Sequence, residues 1–291
     1  METARHIGTL GIIAGGGPLP MAVADAAIAT GRAVFIVGLE GNADDGIAAY
    51  PHGWARIGAI GKTLSLLKAA NCTEVTLVGP VKRPDLSKIV PDAVGFRLLP
   101  RFVRLLAQGD DGLLRGVVEL LEKEHGLKVI APHDVARDLL APEGVLTRKV
   151  PDAGHERDIR AAVRAAHAIG VLDIGQGAVA CRGVVLAVEA IEGTDMMLDR
   201  VGNLDPRLRG TKEQPAGVLV KLPKPGQERR IDLPAIGVQT VEHAAAAGLA
   251  GIAVEAGGAL VGDAEALARR ANALGLFVTG LSRETVEAML R

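Results

Sequence analysis

One phrase recurs along this 291-residue chain and sets most of what it can fold into: a helix-like segment, a glycine, then a short apolar run. It stands at Ala29-Thr-Gly31-Arg-Ala-Val-Phe-Ile-Val and at Glu124-His-Gly126-Leu-Lys-Val-Ile. It returns at Ala247-Gly248-Leu-Ala-Gly-Ile-Ala-Val and at Leu274-Gly275-Leu-Phe-Val. A glycine just past a helix takes the left-handed conformation without steric cost. Repetition of the phrase predicts alternating helices and strands, an α/β fold. The 37 glycines and the short Val/Ile/Leu runs suit a parallel sheet covered by helices.

Length favours two domains. In the first half, Ile7 to Ile13, Ala33 to Val37 and Val75 to Val78 read as strands, and Pro18 to Thr30 as a helix. Two further helices are expected near Leu98 to Ala107 and Leu113 to Glu124. Residues 141–157 hold Pro142, Gly144, Pro151 and Gly154 among few apolar residues. That predicts a first domain over 1–140, a junction over 141–157 and a second domain over 158–291. Beyond it, Ile159, Ala162, Val163 and Ala166 lie at helical spacing, and Ala178 to Cys181 with Val184 to Val188 predicts a hairpin through Arg182-Gly183. Helices near 240–247 and 264–273 alternate with strands near 251–254 and 276–279, and Asp263 is a candidate N-cap.

Composition excludes several classes. The formal charge is −1, from 33 basic and 34 acidic residues, so no global basic field draws nucleic acid. Only 2% of residues are aromatic, too few for base-stacking platforms. Cys72 and Cys181 stand far apart without metal spacing, and two buried thiols in a reducing compartment are expected. No apolar run approaches the ~20 residues of a spanning helix. A cytoplasmic protein, at most peripheral on a membrane, is the expectation.

The chemistry-bearing stretch runs from residue 173 to 237. Polar and charged residues sit there at the ends of short apolar runs: Asp173-Ile-Gly-Gln176-Gly177, Glu189-Ala-Ile-Glu192-Gly-Thr194-Asp195, Lys221-Leu-Pro-Lys224, Arg229-Arg230-Ile-Asp232. Carboxylates can hold a metal, cations neutralise phosphate oxygens, and glycines let backbone approach. Glu192, Thr194 and Asp195 follow a strand-like run and can share its C-terminal edge; Asp195 can equally cap a helix over Met196 to Arg200. Asp232, between cations, is a candidate metal ligand or base. Lys221 and Lys224 are candidate phosphate clamps or ordinary surface lysines.

Ala14-Gly15-Gly16-Gly17-Pro18 reads as a glycine turn into a helix, able to bind an anion or simply to turn. The dinucleotide fingerprint needs a glycine where Pro20 stands, so a nicotinamide cofactor is not supported. Gly61-Lys62-Thr63 resembles the end of a P-loop, but Arg56 occupies the position of its first glycine, leaving a helix start. Lys82 and Arg83 follow a strand and can meet phosphate or stay solvated. None of the seven histidines has HExxH-like spacing, which removes a zinc-hydrolase reading.

Together these phrases resemble one family, the LpxI-type UDP-2,3-diacylglucosamine pyrophosphatases of lipid A biosynthesis. The resemblance rests on Ile13-Ala-Gly-Gly-Gly17, Leu172-Asp-Ile-Gly-Gln-Gly-Ala178 and Ala187-Val-Glu-Ala-Ile-Glu-Gly-Thr-Asp195. It extends to Lys224-Pro225, Asp232-Leu-Pro-Ala-Ile-Gly237 and Ala247 to Gly257, nearly end to end. It implies an N-terminal Rossmann-like domain, a C-terminal α/β domain and an active site between them. It implies Mg²⁺-dependent cleavage of the lipid-linked UDP-sugar to UMP and 2,3-diacylglucosamine 1-phosphate, with the family's essential aspartate at Asp232.

On that basis Asp232 is the expected catalytic residue, with Asp232, Asp195 and Glu192 as expected ligands of Mg²⁺ or Mn²⁺. Gly15, Gly16, Gly17, Gln176, Gly177, Thr194, Lys221 and Lys224 are expected to bind substrate. The rival reading is a nucleotide-sugar or phospholipid sensor without catalysis, which the density of carboxylates disfavours. The segment Phe96 to Leu106 mixes arginines with apolar residues and places Leu98, Phe102, Leu105 and Leu106 near one helical face. Peripheral contact with the inner membrane, packing into the first domain and a homodimer contact are the three uses open to that face.

Overall fold

The computed structural model describes residues 8–82, 89–106 and 109–291. The chain forms two compact units, Met1–Arg137 with Glu228–Asp232, and Asp138–Gln227 with Leu233–Arg291. The second unit's chain thus leaves for five residues and returns, and Asp232 is the last residue of that excursion.

The first unit contains β1 (Thr9–Ala14), α1 (Leu19–Ala29), β2 (Val34–Leu39), β3 (His52–Ala55), α2 (Ile60–Ala69) and β4 (Cys72–Val78). It continues through α3 (Ala93–Leu106), α4 (Asp110–Glu119, extended by a π-helical turn to Glu124), β5 (Lys128–Val129) and the short α5 (Pro132–Val135). Its sheet has the order β3-β2-β1-β4-β5, and every pair is parallel. This is the doubly wound order, whose direction of winding reverses between β1 and β4. Val37, Ala55, Leu67, Val75, Leu121 and Val129 form the core beneath it.

The second unit contains β6 (Gly144–Val145), α6 (Ala153–Val171), β7 (Gly177–Cys181), β8 (Val184–Val188), α7 (Gly193–Gly202) and β9 (Val218–Lys221). Then come β10 (Ala235–Ile236), α8 (Val238–Ala246), β11 (Gly251–Glu255), β12 (Leu260–Val261), α9 (Ala264–Leu274), β13 (Phe277–Leu281) and α10 (Arg283–Leu290). Its main sheet runs β6-β13-β11-β9-β7-β8, while β10 and β12 form a separate parallel pair. The β13, β11 and β9 strands are parallel, and β6, β7 and β8 bring antiparallel pairing to the edges. Strand alternation builds two cores. Val179, Leu219, Ile252, Val254 and Val278 face α7, α8 and α9 through residues such as Met197, Val241 and Leu267. Ala178, Ala180, Val218, Val220 and Ala253 face α6 through Ile159, Ala162, Val163 and Ala166, and α10 through Val286.

All four glycines of the recurring phrase are left-handed, with φ of 78°, 64°, 80° and 73° at Gly31, Gly126, Gly248 and Gly275. Each turns the chain from a helix toward the strand that follows. The expected hairpin is β7–β8, and Asp263 caps α9 by accepting from the Ala266 N–H at 2.8 Å. The stretch 141–157, expected as a junction, is a built part of the second unit. It carries β6 on the edge of the sheet and Asp152, whose carboxylate caps α6.

Candidate active site

In the second unit one sheet edge collects chemistry. Lys221 ends β9 and lies in register with Gly177, which starts β7, and with Val254 near the end of β11. Because β7 runs against β9 and β8 runs against β7, the entry to β7 and the exits of β8 and β9 share this edge. Asp173 and Gln176 lead into β7, Glu189 follows β8, Lys224 follows β9 and Glu255 closes β11. Glu189, Lys221, Lys224 and Glu255 are all buried.

Lys224 donates to Asp173 Oδ1 at 2.5 Å, with the ammonium stem nearly sealed from solvent. The pair ties the post-β9 loop to the α6–β7 loop. Asp173 sits at φ 54°, a left-handed position that a short polar side chain tolerates. Lys221 Nζ donates to the Ala235 carbonyl at 3.1 Å. An ammonium has three donors, so this bond alone does not exhaust it. Thr194 Oγ1 donates to Glu189 Oε1 at 2.8 Å. A Cβ on Gly177 would lie 2.6 Å from Glu189 Oε2, and one on Gly175 would lie 2.2 Å from the Glu189 carbonyl oxygen. Gly175 is required because the Glu189 backbone packs directly upon it, whereas Gly177 gives room to the end of the Glu189 side chain.

Three oxygens of this edge, Asp173 Oδ2, Gln176 Oε1 and Glu189 Oε2, are buried and have no hydrogen-bond partner among the described residues. Buried acceptors without donors are uncommon because their desolvation is uncompensated. A cation or the donors of a ligand would satisfy them. Gln176, Gly177, Thr194, Lys221 and Lys224 were all expected here, and the structure brings them to one edge. Glu189 stood within the quoted phrase without a role, and Glu255 was not singled out. Their signal is position, a carboxylate at the exit of an apolar strand.

The other expected residues are placed differently. Glu192 accepts from Arg200 at 2.6 Å, and Asp195 is exposed in the first turn of α7 rather than capping it. Among the described residues no three His, Cys, Asp or Glu side chains form a metal-holding group. Asp232 belongs to the first unit, half-buried, with its N–H donating to the Glu228 carbonyl at 3.1 Å. Arg230 anchors that excursion. Its guanidinium donates to both oxygens of Glu228 at 2.9 Å and to Glu122 Oε1 at 2.7 Å. Ile231 packs against the first unit's core. The guanidinium in turn holds the Glu228 carboxyl below its ordinary range.

The glycine turn of the first unit lies at the switch point, and its amides are largely committed. Gly15 N–H donates to the Val78 carbonyl at 2.9 Å and Gly16 N–H to the Pro80 carbonyl at 2.8 Å. Pro18 and Pro20 have no N–H to offer at the start of α1. Gly15 and Gly16 are therefore explained by close approach of two backbones. A Cβ on Gly15 would lie 2.4 Å from the Gly79 carbonyl oxygen. Gly15→Ala is expected to lower unfolding stability by about 1–3 kcal/mol, as overpacking against a backbone atom does. A urea melt with an unchanged midpoint would refute that packing role. Lys82 is exposed and donates its backbone N–H to Asn42, while Arg83 lies outside the described residues.

A doubly wound unit joined to a second α/β unit, whose sheet edge carries buried lysines, carboxylates and glycines, defines a two-domain α/β protein with a polar candidate site on its second sheet. The LpxI N-terminal domain model matches residues 9–139, and the LpxI C-terminal domain model matches residues 142–279. The chain belongs to the LpxI family. It is 48% identical over 272 residues to the UDP-2,3-diacylglucosamine pyrophosphatase LpxI of Caulobacter vibrioides, covering 94% of this chain and 97% of that one.

Proposed function

We propose that this protein hydrolyses the pyrophosphate bond of UDP-2,3-diacylglucosamine to UMP and 2,3-diacylglucosamine 1-phosphate, in a Mg²⁺-dependent step of lipid A biosynthesis. The observation that carries the reading is the near full-length similarity to a relative of that name. The sheet edge supplies chemistry that agrees with it.

Water is added across the P–O–P bridge: a new P–O bond forms at one phosphorus, the bond from that same phosphorus to the bridging oxygen breaks, the other phosphate leaves with that oxygen, and the water's proton goes to a base. The reacting group is anionic, so its charge must be offset before an oxygen nucleophile approaches. Lys221 meets phosphate oxygens with the donors left beside its bond to Ala235. Lys224 and Asp173 set the shape of the loop those oxygens meet. Glu189 orients Thr194 toward the same edge.

The donor set fits a hard divalent cation, since Asp173, Gln176 and Glu189 each present a buried oxygen without a donor. These residues would hold Mg²⁺ in the second unit, in place of Glu192, which is engaged by Arg200. The ion, when bound, supplies charge neutralisation on phosphate oxygens and lowers the pKa of its water. Asp232 orients the attacking water or takes its proton. The protein works on the cytoplasmic side of the inner membrane, and no helix of the described residues is long and apolar enough to cross a membrane.

The test is direct. Purified protein with UDP-2,3-diacylglucosamine and Mg²⁺ is expected to release UMP and the 1-phosphate in equal amounts. Tight binding of the substrate with no UMP released would instead establish a sensor.

A further inference from the structure

We propose that the outward face of α3 is a docking surface for an anionic lipid bilayer. Sequence periodicity singles out Leu98, Phe102, Leu105 and Leu106 as the apolar face of this helix, and the Leu106 side chain lies outside the described residues. Leu98, Phe102 and Leu105 are half-buried, and α3 packs against α2 and α4. Leu105 fills the space beside Gly116 of α4, and Val94 fills that beside Gly61 of α2. Arg101 is held on this inner side by Glu119 and Glu124. Of the uses open to that face, packing within the first unit is the one it serves.

A second apolar stripe remains. Phe96, Leu99 and Val103 are 68%, 41% and 59% exposed, and Pro100 beside them is exposed too. Spacings of three and four residues put Phe96, Leu99 and Val103 on one line along the helix. Arg97 and Arg104, seven apart and both exposed, run along one flank of that line. The fourteen residues of α3 include no aspartate or glutamate. An apolar stripe bordered by arginines on an acid-free helix is the pattern of a helix that lies in a membrane interface.

Charge decides between occupants. A two-fold contact with a second copy would set one acid-free, arginine-bearing stripe against another, and like charges would meet. A nucleic acid would use the arginines but leave Phe96, Leu99 and Val103 in water. An anionic bilayer satisfies both parts: acyl chains take the stripe, and lipid phosphates take Arg97 and Arg104. Docking rests on the proposed activity only for its use, since a diacyl substrate resides in a lipid phase.

The experiment is co-sedimentation of the whole protein with vesicles of phosphatidylcholine alone or mixed with phosphatidylglycerol, without substrate. The protein is expected to pellet with the anionic vesicles at low salt and to be released as salt rises. Removing each arginine, in Arg97→Gln and Arg104→Gln, is expected to weaken partitioning about fivefold. Phe96→Ser with Val103→Ser is expected to weaken it at least ~10-fold while the thermal melt stays unchanged, since both residues are exposed. Hydrolysis of detergent-dispersed substrate should not change in any of these variants. Failure to pellet at low salt, or pelleting that these substitutions leave intact, overturns the docking surface. So does concentration-dependent self-association that Phe96→Ser abolishes. Vesicle binding without hydrolysis would instead leave the surface standing and remove the proposed activity.

Discussion

Asp232→Ala is expected to lower turnover of UDP-2,3-diacylglucosamine by at least ~10²-fold while leaving the protein folded and able to bind substrate. The excursion has anchors besides Asp232. Arg230 grips Glu228 and Glu122, Ile231 joins the first unit's core, and the Asp232 N–H bonds the Glu228 carbonyl whatever the side chain at 232. Truncating the carboxylate therefore removes the proposed reacting group and leaves those anchors in place. Turnover is read as UMP release under saturating substrate, with binding measured separately and folding read from a urea melt. Near wild-type turnover in the folded variant would take Asp232 out of the mechanism. A variant that no longer unfolds cooperatively would show that the carboxylate holds the excursion, and Asp232→Asn, which keeps the shape, would then carry the test.

Much of the fold was legible because it is written locally. A glycine after a helix needs only its own φ, so Gly31, Gly126, Gly248 and Gly275 announced their turns in sequence. The β7–β8 hairpin and the Asp263 cap are likewise decided within a few residues. What escaped depends on distance along the chain. The four residues of β9 are interrupted at once by Leu222-Pro223, and only pairing with β7 and β11 makes them a central strand. The ion pair between Lys224 and Asp173 spans 51 positions, and the anchor between Arg230 and Glu122 spans 108.

The glycine turn shows another limit. A glycine that frees an amide for an anion and a glycine that admits a neighbouring backbone look identical in sequence, and Gly15 and Gly16 are of the second kind. On α3, periodicity found the larger apolar face, which packing consumes. The smaller face was hidden because two apolar stripes on one helix blur into a generally apolar pattern.

Chelation is expected to abolish hydrolysis, and Mg²⁺ or Mn²⁺ to restore it, because the available donors are hard. Both cysteines are buried, and burial pushes the Cys72 thiol up to about 11 and raises that of Cys181 as well. A thiol held protonated at neutral pH is a poor ligand for a soft ion. The oxygens of Asp173, Gln176 and Glu189, buried and lacking donors, suit an oxygen-seeking cation instead. Activity after EDTA is expected to fall below about 1% of the starting rate and to return with excess Mg²⁺. A second readout does not involve turnover. A cation bound only by the folded state raises the melting temperature with its concentration. Glu189→Gln keeps the shape and the bond from Thr194 but weakens the charge that attracts the ion. It should raise the Mg²⁺ concentration needed for half of that stabilisation on the order of tenfold. Full activity in chelated protein would end the metal requirement. A Mg²⁺-dependent melt that Glu189→Gln leaves untouched would keep the metal but move it away from this sheet edge.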